Sequence, residues 1–147
     1  MESYLQDKFG RDIYFITFPG SLAEWRQNQF SVALREFIER HLIREIYLVT
    51  DTGCAFIDRV ITGAKFSGLL SEKIMRSIYE KNFATDFENT ELPTRQFKLA
   101  ELTIRTQTQE LMRWNVLGVQ IIESKIELKG LVTTKRKNLL TEIKINN

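Results

Sequence analysis

The chain has 147 residues, 43% of them hydrophobic and 27% charged, with a formal net charge of +2. A chain of this length buries roughly 68–70% of its unfolded surface, so residues 1–147 are expected to form a single domain. Ten phenylalanines argue against disorder, the small charge gives no case for a nucleic-acid or membrane partner, and one cysteine excludes an intrachain disulfide.

The first ten residues, MESYLQDKFG, lack a cationic segment followed by an apolar one, and no apolar run is long enough to span a bilayer. The expectation is a soluble, cytoplasmic protein. The basic excess is local. Residues 124–147 carry six Lys/Arg against two Glu, as suits one solvated face of a hairpin.

Taken in order, residues 12–18 (DIYFITF) are apolar, aromatic and β-branched, and they end at Pro19-Gly20. That composition predicts a short buried strand and a turn. Ser21-Leu-Ala-Glu24 has the S-x-x-E form of a capping box and predicts a helix start. Trp25, Phe30, Ala33, Leu34, Phe37, Ile38 and Leu42 then recur at threes and fours as one apolar stripe. Residues 45–50 (EIYLVT) form a second apolar strand, continuous enough to be covered on both faces. Strand, helix and strand make a βαβ unit with its two strands parallel.

Residues 56–65 read as a short helix or loop, residues 71–82 as a helix, and residues 83–93 as a polar loop. Residues 94–114 read as a long helix, with Phe97, Ala100, Ile104, Leu111 and Trp114 inside. After it the period changes. Residues 119–122 are apolar, residues 125–133 alternate, residues 135–138 form a turn, and residues 139–145 alternate again. This predicts a solvated antiparallel hairpin. The fold class is therefore α/β: a small, mainly parallel sheet with flanking helices and a C-terminal antiparallel hairpin.

Candidate chemistry sits where the second strand ends, in Asp51-Thr52-Gly53-Cys54. Parallel sheets place ligands at the carboxyl ends of their strands. Asp51 suits the N-cap of the segment that follows. With Thr52, Gly53, Cys54 and Arg59 nearby, a small polar or anionic ligand is a candidate occupant. Cys54 and Asp51 are the candidate catalytic groups, the thiol as nucleophile and the carboxylate as orienter or acid/base. They are also the weak metal candidates. A catalytic zinc needs three protein ligands and an open position, and one cysteine and one histidine cannot supply a cysteine/histidine site. His41 precedes the strand, at the wrong end to join Asp51 and Cys54.

The order and local sequences together resemble β-class carbonic anhydrases. In that family a strand ends in an Arg-Asn-Ala-Gly turn. A helix follows, then a strand ending in His-x-x-Cys-Gly, whose His and Cys bind zinc, and a long helix and a hairpin close the domain. Here Phe15-Ile-Thr-Phe-Pro-Gly20 stands at the first turn and Arg44-Glu-Ile-Tyr-Leu-Val-Thr-Asp-Thr-Gly-Cys-Ala-Phe56 at the metal strand. Gly130-Leu-Val-Thr-Thr and Leu140-Thr-Glu-Ile stand at the hairpin. The departures all fall on the metal site. Asp51 stands for the ligand histidine, Ala55 for the glycine, and Thr17-Phe18 for Arg-Asn. The eleven residues before residue 12 hold no Cys-x-Asp-x-Arg.

The resemblance implies a β-carbonic-anhydrase-like fold and self-association, as a homodimer or homo-oligomer. An uncovered sheet edge argues for pairing as well. With only Cys54 left of the family's ligands, no cofactor is expected, and zinc only with additional ligands. The expected function is a catalytically silent, self-associating structural or regulatory subunit, with a full-length homologue as another partner. The alternative is an enzyme or small-ligand binding protein that uses the Asp51–Cys54 loop, with any metal completed by a partner chain.

Overall fold

The structure is a computed structural model and describes residues 1–113 and 115–145. Among the described residues the α-helices and strands are, in chain order, helices α1 (Glu2–Phe9) and α2 (Asn28–Arg40), strand β1 (Glu45–Asp51), and helices α3 (Ala55–Ile61), α4 (Leu70–Lys81), α5 (Leu92–Arg113) and α6 (Asn115–Glu123), then strands β2 (Glu127–Thr134) and β3 (Leu139–Ile143). The sheet order is β1-β2-β3. β1 pairs with β2 in parallel, Glu45 opposite Glu127 through Asp51 opposite Thr133, and β2 pairs with β3 antiparallel.

β2 is the central strand and the most buried of the three, with Leu128, Leu131 and Val132 nearly inaccessible. The hairpin is therefore solvated along β3 alone. Gly130 lets α5 lie close over β2. A Cβ there would stand 2.7 Å from Cγ2 of Ile104 and 3.2 Å from Cβ of Ile143. One apolar cluster joins α3, α4 and α5 to the sheet through Ile57, Met75, Phe87, Leu99 and Val132. A second joins α2 and α6 through Trp25, Ile38, Leu117, Ile121 and Leu128. α5 contributes to both, with Ile104 in the first and Leu111 in the second. On the opposite face, Phe9 of α1 packs on Tyr47 of β1, ring centroids 5.3 Å apart.

Several expectations need correction. Residues 12–18 are extended but are not a strand. A strand is defined by its ladder, and residues 12–17 make no backbone–backbone hydrogen bond among the described residues. β1's parallel partner is β2 instead. The capping box does not form. Ser21 lies in a short 3₁₀ turn at φ 58°, and α2 starts later, with Gln27 as its N-cap. Trp25 is buried nonetheless, outside any helix, because its indole and the Ala23 amide both donate to Gln107. Leu42 leaves the stripe. It follows the C-cap His41 at φ 51° and is 72% exposed.

The segment 83–93 is not simply a polar loop, because Phe83–Phe87 forms a π-helical turn that buries Phe87 completely. Residues 119–122 are the end of helix α6, not part of the hairpin. Trp114, expected inside the long helix, lies outside the described residues. Among those residues no helix is long and apolar enough to cross a membrane.

Candidate functional site

The loop after β1 is held by its own first residue. Asp51 ends the strand, and its Oδ1 accepts the Gly53 amide at 2.9 Å, closing a tight side-chain turn. Its Oδ2 accepts the Thr133 hydroxyl at 2.7 Å and the Lys135 amide at 3.0 Å. The carboxylate thus ties the β1 loop to the end of β2 and to the hairpin turn. The residue that caps α3 is Cys54 rather than Asp51, and no side chain caps that helix.

Thr52 is buried, donating its amide to Thr133 O at 2.8 Å and its hydroxyl to that of Thr134 at 3.0 Å. Gly53 suits the turn because a Cβ there would stand 3.0 Å from Oδ1 of Asp51. Cys54 is half-buried against the first apolar cluster, and its amide donates to Asp51 O at 3.1 Å.

Arg59 serves a different network. Its Nε donates to Glu72 at 3.3 Å, and its guanidinium also reaches Lys65 O. Glu72 is fully buried, on α4, and also receives Arg76 at 2.8 Å and the Ser67 amide at 3.1 Å. Hydrogen bonding from Ser67 chiefly, then from Arg76 and Arg59, outweighs burial and lowers the Glu72 carboxyl to about 2. This centre joins α3, α4 and the loop between them. Sequence reasoning missed it, because a glutamate on a polar helix reads as solvent-facing. The visible signal was Glu72 and Arg76 at helical i,i+4 spacing. Gln107 on α5 was missed for the same reason. It is buried and accepts from Ala23 N and Trp25 Nε1, each at 2.9 Å.

Of the five proposed loop residues, Asp51 and Cys54 face one feature together. A cavity of about 1060 Å³ runs along β1 and ends at these two side chains. Residues 12–18 form one wall and residues 44–51 the other, with α2 and α1 closing the sides. His41 lies at the far end, where its Nδ1 pairs with the Tyr14 hydroxyl at 3.0 Å. His41 and the Asp51–Cys54 loop therefore bracket β1 instead of converging.

The donor set does not fit the zinc that the resemblance implies. Both Asp51 oxygens already accept hydrogen bonds, and among the described residues no three of His, Cys, Asp and Glu form a group able to hold a metal ion. One thiol with a committed carboxylate falls short of three ligands.

The fold itself is that of β-carbonic anhydrases. A tetrameric β-carbonic anhydrase of Sordaria macrospora superposes with a TM-score of 0.72 at 12% identity, over 85% of this chain and 64% of that one. The β-carbonic anhydrase CafA of Aspergillus fumigatus gives 0.69 at 19% identity, over 82% and 59%. The Coccomyxa β-carbonic anhydrase in complex with acetazolamide gives 0.67 at 14%, over 85% and 58%. This chain thus spans about three fifths of the length of these structures. No family model and no curated protein sequence matches it.

Proposed function

We propose that this chain is a catalytically silent carbonic-anhydrase-like protein, a self-associating structural or regulatory subunit of the cytoplasm. Its partners in this reading are further copies of itself or a full-length homologue. One observation carries the reading. Asp51 stands where the resembled family has its ligand histidine, and its carboxylate is occupied with Gly53, Thr133 and Lys135. The residue has become a tie between the β1 loop and the hairpin. A metal there would have to break hydrogen bonds that organise the loop, and it would still find only Cys54 beside it. The tetrameric assembly of the Sordaria enzyme supports self-association on this fold.

The test is elemental analysis of purified protein together with stopped-flow CO₂ hydration and light scattering. The expected result is substoichiometric zinc, no hydration above the buffer rate, and a mass of two or more chains. Near-stoichiometric zinc with hydration activity would sink the proposal.

A second reading draws on the cavity that Asp51 and Cys54 share. In it the loop of Asp51, Thr52, Gly53 and Cys54, with Arg59 behind it, binds a small ligand or performs chemistry on the Cys54 thiol. A partner chain would complete any metal site. Alkylation of Cys54 across pH and ligand-dependent melting shifts distinguish this from the first reading. Slow labelling with the pH response of an ordinary thiol, and no melting shift, would count against it.

A further inference from the structure

The loop between α3 and α4 is tied down from beneath and apolar on its outside. Arg76 donates to Ala64 O at 2.9 Å, Arg59 donates to Lys65 O, and the Ser67 amide donates to the buried Glu72 at 3.1 Å. Gly63 and Gly68 turn the chain at φ 68° and 88°. With its backbone held inwards, the loop leaves large side chains in water. Phe66 is 46% exposed, and Leu69 and Leu70 are 51% exposed each. One exposed apolar side chain is ordinary. Three within residues 66–70, on a loop anchored to a buried carboxylate, form a patch of the kind that marks an interaction surface.

The patch is convex. None of residues 62–70 lines the cavity along β1 or the smaller pocket around Phe18, Phe30 and Ser71. A Cβ on Gly63 or on Gly68 would have nothing within 4 Å.

The surroundings of the patch are basic. Residues 59–79 hold four Lys/Arg against one carboxylate, Glu72. That carboxylate is fully buried and committed to Arg59 and Arg76. Lys65 and Lys73 are exposed, and among the described residues neither makes an ion pair. The smaller pocket brings one carboxylate, Glu24, towards this end of α4, where Ser71 lies. Cations remain in excess, and the whole-chain charge of +2 conceals it.

We propose that this loop seats the protein on an anionic phospholipid surface. Phe66, Leu69 and Leu70 enter the headgroup layer, and Lys65 and Lys73 meet the lipid phosphates and carboxylates. A fluid interface deforms around a convex apolar tip, whereas a protein partner would need a matching hollow. The flanking lysines suit the negative potential of such a surface. The Glu72 centre shapes the loop in advance, so docking orders little backbone. The chain then lies on the surface and does not cross it, since no described helix is long and apolar enough to span a bilayer. The inference stands whether or not the chain is catalytically silent.

The test is co-sedimentation of the full chain with phosphatidylcholine vesicles, with and without phosphatidylserine. The expected result is reversible binding to the phosphatidylserine vesicles alone, weakened by salt. Each lysine is worth about fivefold, so Lys65→Glu with Lys73→Glu should weaken binding by roughly twentyfold or more. Phe66→Ser with Leu69→Ser should weaken it by roughly tenfold or more. All four side chains are exposed, so both variants should keep the native urea midpoint. If either does not fold, Phe66→Trp decides, because brominated lipid should quench its emission beyond that of the native chain.

No binding, equal binding without phosphatidylserine, or undiminished binding of the Lys65/Lys73 variant would overturn the proposal. So would binding lost only on replacing Lys135, Arg136 and Lys137 by alanine, which would place the contact on the hairpin turn. A Phe66/Leu69 variant that falls from two chains to one, while the native chain ignores vesicles, would assign the patch to a second copy instead.

Discussion

Replacing Asp51 by alanine tests whether this residue is a structural tie. The substitution removes the acceptor of three donors: the Gly53 amide, the Thr133 hydroxyl and the Lys135 amide. Gly53 and Lys135 are exposed, so water replaces the carboxylate there at small cost. Thr133 is fully buried, and its hydroxyl keeps only a 3.8 Å contact with Met1 sulfur. Leaving a buried donor unsatisfied costs about 1–3 kcal/mol, and losing two charge-assisted bonds at the surface adds about 1 kcal/mol.

The expected loss is therefore about 2–4 kcal/mol, a fall in Tm on the order of 10 °C for a chain of this size. Urea unfolding monitored by tryptophan fluorescence measures it. The Thr133→Val background supplies a cycle. With no hydroxyl to orphan, Asp51→Ala should cost about 1 kcal/mol or more less there than in the native chain. A loss below about 0.5 kcal/mol, or a cycle with no coupling, would refute the structural role and return Asp51 to the candidate acid/base groups.

Other outcomes follow from the packing and polar centres. Gly130→Ala should cost about 1–3 kcal/mol in urea unfolding, because its Cβ meets Ile104 at 2.7 Å under a helix that cannot easily move. Gln107→Leu keeps the volume but orphans the Ala23 amide and the Trp25 indole. It should cost about 2–4 kcal/mol and shift the tryptophan emission. The Glu72 carboxyl is lowered in the folded state from 4.5 to about 2, so it binds its proton more readily when unfolded. Its contribution to stability is complete above about pH 4.5 and is lost as pH falls towards 2. Between pH 5 and pH 3 the native chain should lose more stability than Glu72→Gln, measured by urea midpoints. Equal losses would remove Glu72 as the source.

Much of the fold was legible because hydrophobic periodicity reports burial directly. The runs of β1 and of the alternating C-terminal strands, and the stripes of α2, α4 and α5, each specify one buried face wherever the chain goes. The same held for the position of the candidate loop, since Asp51 to Cys54 directly follow the apolar run that forms β1. Residues 12–18 show where periodicity fails. Their composition is that of a strand, but a strand exists only with a neighbour, and β1 stands across a cavity from them. Ser21 and Glu24 carry the letters of a capping box, yet the buried Trp25 and its bond to Gln107, 82 residues away, hold that segment outside a helix.

The sequence by itself determined which ligand types these 147 residues hold: one cysteine, one histidine, and an aspartate where the resemblance expects a histidine. Only the tertiary structure decided what the remaining residues do. Asp51 meets Thr133 and Lys135 because the parallel register of β1 and β2 sets its carboxylate beside them. Arg59 turns to Glu72 because α3 and α4 pack together, leaving Asp51 and Cys54 at the end of the cavity. Hydrogen-bond partners far apart in sequence and the gap between two extended segments are properties of register and packing, which no local pattern encodes.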